Sequence, residues 1–144
     1  MQVRDVLKSK SGRVVTLAPD AKVSEAIARL VQNNIGSLPV LDGEGHLIGV
    51  FSERDVLRGI HHRGEGFCDV RVSEVMTRDP VTCDPDDDVN DVMGKMTESR
   101  IAKVPVLSGS RLIGIISVGD VIKMMYEKVH SDNQHLMQYI HGAH

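Results

Sequence analysis

The chain has 144 residues, a net charge of −3, 41% apolar residues, only 3% aromatics and no Trp. This balance excludes a disordered chain and leaves no basic excess for a nucleic-acid backbone, and no apolar run nears the ~18 residues of a membrane-spanning helix. The core must come from Val, Ile, Leu and Met; MQVRDVLKSK lacks a signal-type apolar segment, so a cytoplasmic protein is expected.

In chain order, VRDVL predicts a short helix packed on the later elements of the chain. A short strand is predicted near 14–17, then a turn at Pro19-Asp20. Val23, Ala26, Ile27, Leu30 and Val31 recur at helical spacing. SLPVL, the turn DGEG and LIGVF predict two strands joined as a hairpin, and a second helix comes next. HHRGEGFCDV is polar and Gly-rich, a mobile linker by composition, and Val72, Val75 and Met76 predict a short helix after it.

The pattern then returns. A shift of 66 lays Val15-Thr16 on Val81-Thr82, Pro19-Asp20 on Pro85-Asp86, Val23 on Val89, and Pro39-Val40-Leu41 on Pro105-Val106-Leu107. One residue is dropped near Gly45-His46, and at a shift of 65 GVFSERD (49–55) falls on GIISVGD (114–120). The second copy has its strand near 80–83, a helix stripe of Val89, Val92, Met93 and Met96, and strands KVPVL and LIGII around SGS. This is an internal duplication of a β-α-β-β-α unit. A unit that small rarely buries enough surface alone, so the fold class expected is α+β, two repeats packed by their sheets around one shared core with pseudo-twofold symmetry. The boundaries are 1–60 for repeat 1 with the N-terminal helix, 61–72 for a linker, 73–126 for repeat 2, and 127–144 for a helical extension.

Each heptad places a Ser at a helix start and an Asp three residues on, about one turn later. The Ser can cap its helix, or join the free N–H groups there in binding an anion. The Asp accepts hydrogen bonds only, which suits a vicinal diol such as a ribose. Ser-x-x-Asp is also close to a capping box, and the two roles can coexist. The strand glycines, Gly49 and Gly114, allow a backbone or ligand to approach closely.

The two copies, with x-x-Pro-Val-Leu, Leu-Ile-Gly and Gly-h-h-Ser-x-x-Asp in order (h, apolar), resemble a tandem cystathionine β-synthase (CBS) domain pair, or Bateman module, over residues 3–125. The ending HLMQYIHG resembles the tail of small stand-alone bacterial CBS-pair proteins. The resemblance implies adenine-nucleotide ligands (AMP, ADP, ATP, NAD or S-adenosylmethionine) in clefts between the repeats. It implies that Asp meets the ribose, Ser the phosphate, and segments near the first and Pro-Val strands the adenine. One implied site combines Ser117 and Asp120 with Val15, Thr16, Gly36, Ser37 and Pro39; the other combines Ser52, Arg54 and Asp55 with Val81, Thr82, Ala102, Lys103 and Pro105. Where many relatives carry an Arg-His or His-Arg pair this chain has Ala102-Lys103, with Arg54 as a compensating cation. Glu53-Arg54 against Val118-Gly119 makes the two sites chemically unequal.

After Asp120, a stripe of Val121, Ile122, Met125, Val129, Leu136 and Ile140 predicts a long helix, with a break around Ser131-Asp132-Asn133 and a surface for a homodimer. His61, His62 and Cys68 raise a metal site, but adjacent helical residues point about 100° apart, so a polar loop is the reading preferred. His141 and His144 are assigned no role. No nucleophile–base pair or paired-carboxylate site is legible, so a regulatory module with no catalytic cofactor is expected, acting on an effector protein and with neither nucleic acid nor membrane as partner. The competing reading is a structural dimeric adaptor in which Ser and Asp only cap helices.

Overall fold

The computed structural model describes residues 1–10 and 12–142; Ser11, Ala143 and His144 lie outside the described residues. The elements are α1 (Val3–Lys8), α2 (Val23–Asn33), β1 (Ser37–Leu41), β2 (Leu47–Ser52), α3 (Glu53–Arg63), β3 (Thr77–Arg78), α4 (Val89–Ser99), β4 (Lys103–Ser108), β5 (Arg111–Ser117) and α5 (Val118–Gly142). β1, β2 and β3 form one antiparallel sheet, and β4 and β5 a second. The β1–β2 register shifts after Val40 and the β4–β5 register after Val106, equivalent positions of the two copies.

The strands expected near 14–17 and 80–83 shrink to single parallel bridges, Leu17 to Val40 and Cys83 to Val106. Proline is the reason. Leu17 N–H donates to Pro39 C=O, and Leu41 N–H to Leu17 C=O. The next rung on one side needs an N–H at position 39, and on the other an N–H at position 19; both are Pro. Pro105 and Pro85 truncate the Cys83 bridge in the same way.

The buried side chains form two clusters, not one shared core. Leu17, Val23, Ala26, Leu30, Leu38, Val40, Phe51, Phe67, Val72 and Met76 make the first. Val3, Val6, Cys83, Val89, Val92, Met96, Val104, Val106, Ile116 and Val121 make the second. Each core is completed by a segment that leads into the other repeat. α1 precedes repeat 1 in the chain and packs on repeat 2. The segment 67–76, divided by sequence between linker and repeat 2, packs on repeat 1.

These two lead-in segments are equivalents. Val3 N–H donates to Asp87 C=O and Arg4 N–H to Pro85 C=O; Val72 N–H donates to Ala21 C=O and Ser73 N–H to Pro19 C=O. The acceptors differ by the repeat shift of 66 (Pro19 onto Pro85, Ala21 onto Asp87). The strand glycines receive these segments. A Cβ at Gly49 would lie 2.7 Å from the Met76 sulfur, and one at Gly114 would lie 2.8 Å from Leu7 Cδ2. The crossing ties each half to the other through buried apolar area, at about 25 cal/mol per Å² removed from water.

The Gly-rich linker is also structured. Gly64–Asp69 is a 3-10 turn where a mobile stretch was expected, and the short helix expected from Val72, Val75 and Met76 is a 3-10 turn at Val72–Glu74. Phe67 is buried against α3 at Gly59, where a Cβ would sit 2.0 Å from the ring. α5 runs unbroken through Ser131-Asp132-Asn133 over 25 residues, about 37 Å at 1.5 Å per residue. A solvated helix tolerates these polar residues, whose cost in helix propensity is only tenths of a kcal/mol each.

Candidate functional site

α3 begins where β2 leaves its sheet, and Ser52 is its N-cap. Ser52 Oγ accepts from Asp55 N–H at 3.4 Å, while Asp55 Oδ2 accepts from Ser52 N–H at 2.9 Å and Ser52 Oγ–H at 3.1 Å. Thr77 Oγ1–H donates to Asp55 Oδ1 at 3.1 Å, a partner supplied by β3. Asp55 is 5% exposed, and these donors compensate its desolvation. A capping box is therefore present, as the local reading expects. It does not exhaust the carboxylate, which has about four acceptor positions.

The helix starts are less open than the sequence suggests. Glu53 N–H donates to Gly36 C=O at 3.0 Å, and Val118 N–H to Ala102 C=O at 2.9 Å. With the Asp55 and Asp120 amides bound by serine oxygens, the Arg54 and Gly119 amides are left for an anion at these first turns.

Two clefts lie between the repeats. The first, about 570 Å³, brings Ser52, Arg54 and Asp55 together with Val81, Ala102, Lys103 and Pro105. Gly36, Ser37 and Pro39, expected in the other site, also line it. So do Arg58, Thr77, Asp79 and Arg100, which sequence reasoning missed. Arg58 had a signal, lying four residues after Arg54 on one helix face; Asp79 and Arg100 lie two residues before Val81 and Ala102 of the expected set, and only the fold brings Thr77 to Asp55.

The second cleft, about 420 Å³, is lined by Val15, Ser37 and Ser117 of the expected set, with Leu7, Lys10, Arg13, Lys103 and Gly114. Thr16 and Thr82 line neither cleft. Their carbonyls accept from Arg29 and Lys95, equivalent cations on α2 and α4. Asp120 does not line the second cleft either. Its Oδ2 accepts from Ser117 N–H at 3.0 Å and pairs with Lys10 Nζ at 2.8 Å, and Lys10 also donates to Ile115 C=O at 2.8 Å. An internal ammonium thus sits where a sugar would be expected. Burial alone would raise the Asp120 carboxyl; the Lys10 ammonium with the Ser117 hydroxyl and amide outweighs it and holds the group below the usual range.

A carboxylate whose folded value lies below its unfolded value stabilises the fold above the unfolded value and loses that contribution as pH falls through the folded one. Lys10→Met is therefore expected to cost no more than about 1 kcal/mol near neutral pH, since the pair is partly exposed. Denaturant unfolding of both proteins across the carboxylate range tests this. The difference should shrink in acid; a constant difference would mean that Lys10 acts through its aliphatic stem.

Among the described residues no cluster of His, Cys, Asp or Glu is arranged to hold a metal. His61 and His62 are 5.0 Å apart edge to face at the end of α3, and Cys68 is exposed. Cys83 is buried, and that burial, with Asp87 nearby, pushes its thiol up to about 11. No helix of the described residues is long and apolar enough to cross a membrane.

A family model described as CBS domain matches residues 3–62 and 72–127. The mitochondrial CBS domain-containing protein CBSX3 of Arabidopsis thaliana is 33% identical over 149 residues, 98% of this chain and 72% of the relative. The crystal structure of the CBS-domain protein ATU1752 from Agrobacterium tumefaciens is 37% identical with a TM-score of 0.82, covering 87% of this chain and 99% of that one. The CBS domain pair of protein MJ0100, crystallised with 5-methylthioadenosine and S-adenosyl-L-methionine, is 27% identical with a TM-score of 0.77, covering 89% and 98%.

Proposed function

The chain belongs to the CBS-domain family, and on that premise we propose that it is a regulatory module binding an adenine nucleotide in the first cleft. The observation that carries this reading is the composition of that cleft: Ser52 and Asp55 of one repeat face Val81, Ala102, Lys103 and Pro105 of the other. Its volume of about 570 Å³ lies within the ordinary range for small-molecule sites. The adenosine compounds named with the MJ0100 pair support the ligand class.

Asp55 takes the ribose diol, the Ser52 end of α3 with Arg54 takes the phosphate, and the apolar Val81–Pro105 wall takes the base. A ligand that touches both repeats favours the relative packing that it fits better, by no more than its difference in affinity for the two arrangements. The readout surface is α5. Ile122, Met125, Val129, Leu136 and Ile140 are exposed along it, and a second copy of the chain covers this stripe in a homodimer that meets an effector protein in the cytoplasm. Where occupancy follows the phosphorylation state of adenine nucleotides, the module reports the energy state of the cell.

Isothermal titration with AMP, ATP, NAD and S-adenosylmethionine, with sedimentation at each end point, tests the reading. Expected is binding in the micromolar range, about −8 kcal/mol, with a change in shape or association. Binding that alters neither would remove the regulatory mechanism. No binding by any compound would leave the structural adaptor as the better account.

A further inference from the structure

Four cationic side chains line the first cleft. Arg54 and Arg58 lie one turn apart on α3, and Arg100 and Lys103 come from the second repeat. Among the described residues the ion pairs are Arg4–Asp86, Lys10–Asp120, Arg29–Glu25, and His46 with Asp42 and Glu44; none of the four cleft cations takes part. The acids lining the same cleft are Glu53, Asp55 and Asp79. Asp55 is engaged by Ser52 and Thr77, and Glu53 lies over Gly36, its Cδ 3.4 Å from where a Cβ there would sit.

Arg100 is placed against its own backbone preference. It ends α4 in the left-handed conformation at φ 53°, ψ 45°. The equivalent position in the first repeat holds Asn34 at φ 52°, ψ 49°, and Asn is a residue type that tolerates this region. Asp79 of the same cleft is also left-handed, at φ 49°, a conformation that Asp, like Asn, tolerates. A strained Arg backbone at a ligand site points to selection for the side chain it presents.

We propose that the first cleft selects nucleotides by their polyphosphate tail, with Arg54 and Arg58 of one repeat and Arg100 and Lys103 of the other closing on a di- or triphosphate. The proposal rests on the nucleotide reading above and adds the ligand's charge class and two further specificity residues, Arg58 and Arg100. Unpaired cations in a cleft with low-dielectric walls raise the potential felt by an anion. They oppose the cationic sulfonium of S-adenosylmethionine and gain nothing from neutral adenosine. Because the cations come from both repeats, a long tail adds to the bridge between the halves that ribose and base already make.

The test is titration of the full chain with adenosine, AMP, ADP, ATP and S-adenosylmethionine in magnesium-free buffer, repeated on Arg58→Gln and Arg100→Asn. Affinity should rise from adenosine through AMP and ADP to ATP, and the ATP affinity should fall with added salt. Each variant should lose roughly ten- to hundredfold in ATP affinity and leave adenosine unchanged. Arg100→Asn should keep or raise the thermal midpoint, because Asn suits the left-handed position; a merely structural arginine would not separate affinity from stability in this way. ATP binding no tighter than adenosine, S-adenosylmethionine binding tighter than ATP, or variants with wild-type ATP affinity would each overturn the proposal and leave standing that the first cleft binds an adenine compound. Failure of every adenine compound would overturn both.

Discussion

Phe67→Ala is expected to lower stability by about 3–5 kcal/mol, the ordinary range for deleting a buried aromatic side chain. Phe67 is one of the largest fully buried side chains, and the protein has only two Phe. Its ring lies directly on Gly59 of α3, where even a Cβ would collide with it. Total stabilities of such domains are about 5–15 kcal/mol, so the loss removes a large share. At this chain length it corresponds to a fall of roughly 10 °C or more in Tm. Calorimetry or thermal circular dichroism checks it, and a fall of only one or two degrees would show that the 64–69 turn does not hold the first core. Function should track stability here, because the same connection leads on to Met76 over Gly49 and Thr77 on Asp55.

Asp55→Ala is expected to remove nucleotide binding from the first cleft, with a loss of roughly tenfold to a hundredfold or more. Hydrogen bonds to a charged acceptor contribute about 1.5–3 kcal/mol each, and a diol offers two donors. Three donors already face this carboxylate, which leaves about one acceptor position free; the Thr77 hydroxyl can rotate away to release a second. The same substitution breaks the capping box and should cost about 0.5–2 kcal/mol of stability. Binding isotherms measured well below the melting range separate the two effects. Asp120→Ala is the control: its carboxylate is held by Lys10 outside the first cleft, so first-cleft affinity should persist. Equal losses in the two variants would mean that binding responds to helix capping in general and not to Asp55.

The second cleft differs in kind from the first. Ser117 lines it, but Asp120 does not and is engaged by Lys10, which is carried by the segment after α1. α1 is itself held by Val3, Val6 and Leu7 in the second core. The inequality foreseen from Glu53-Arg54 against Val118-Gly119 therefore has a larger cause, the course of the N-terminal segment.

By itself the sequence determined the two-repeat plan, the helices α2 and α4, both hairpins and the Ser-x-x-Asp start of α3 and α5. These come from local regularities: a 3.6-residue apolar period, two-residue alternation, Pro and Gly at turns, and a shift of 66 that lays one half on the other. Through the family resemblance it also grouped Ser52, Arg54, Asp55, Val81, Thr82, Ala102, Lys103 and Pro105, of which all but Thr82 line the first cleft. Only the tertiary structure decided which half each lead-in segment serves. VRDVL and VSEVM are visibly alike once their bonds are known, but contacts from Val3 to Asp87 or Leu7 to Gly114 join residues far apart in the chain and leave no periodic trace. The same holds for Lys10 on Asp120, Thr77 on Asp55, and Arg100 across from Arg54 and Arg58. A short strand was foreseen at Leu17 because β-branched residues suggest one; paired prolines, acting through absent N–H groups on a neighbouring strand, reduced it to one bridge. Propensity acts along the chain, whereas hydrogen-bond donors, charges and apolar faces find their partners through space.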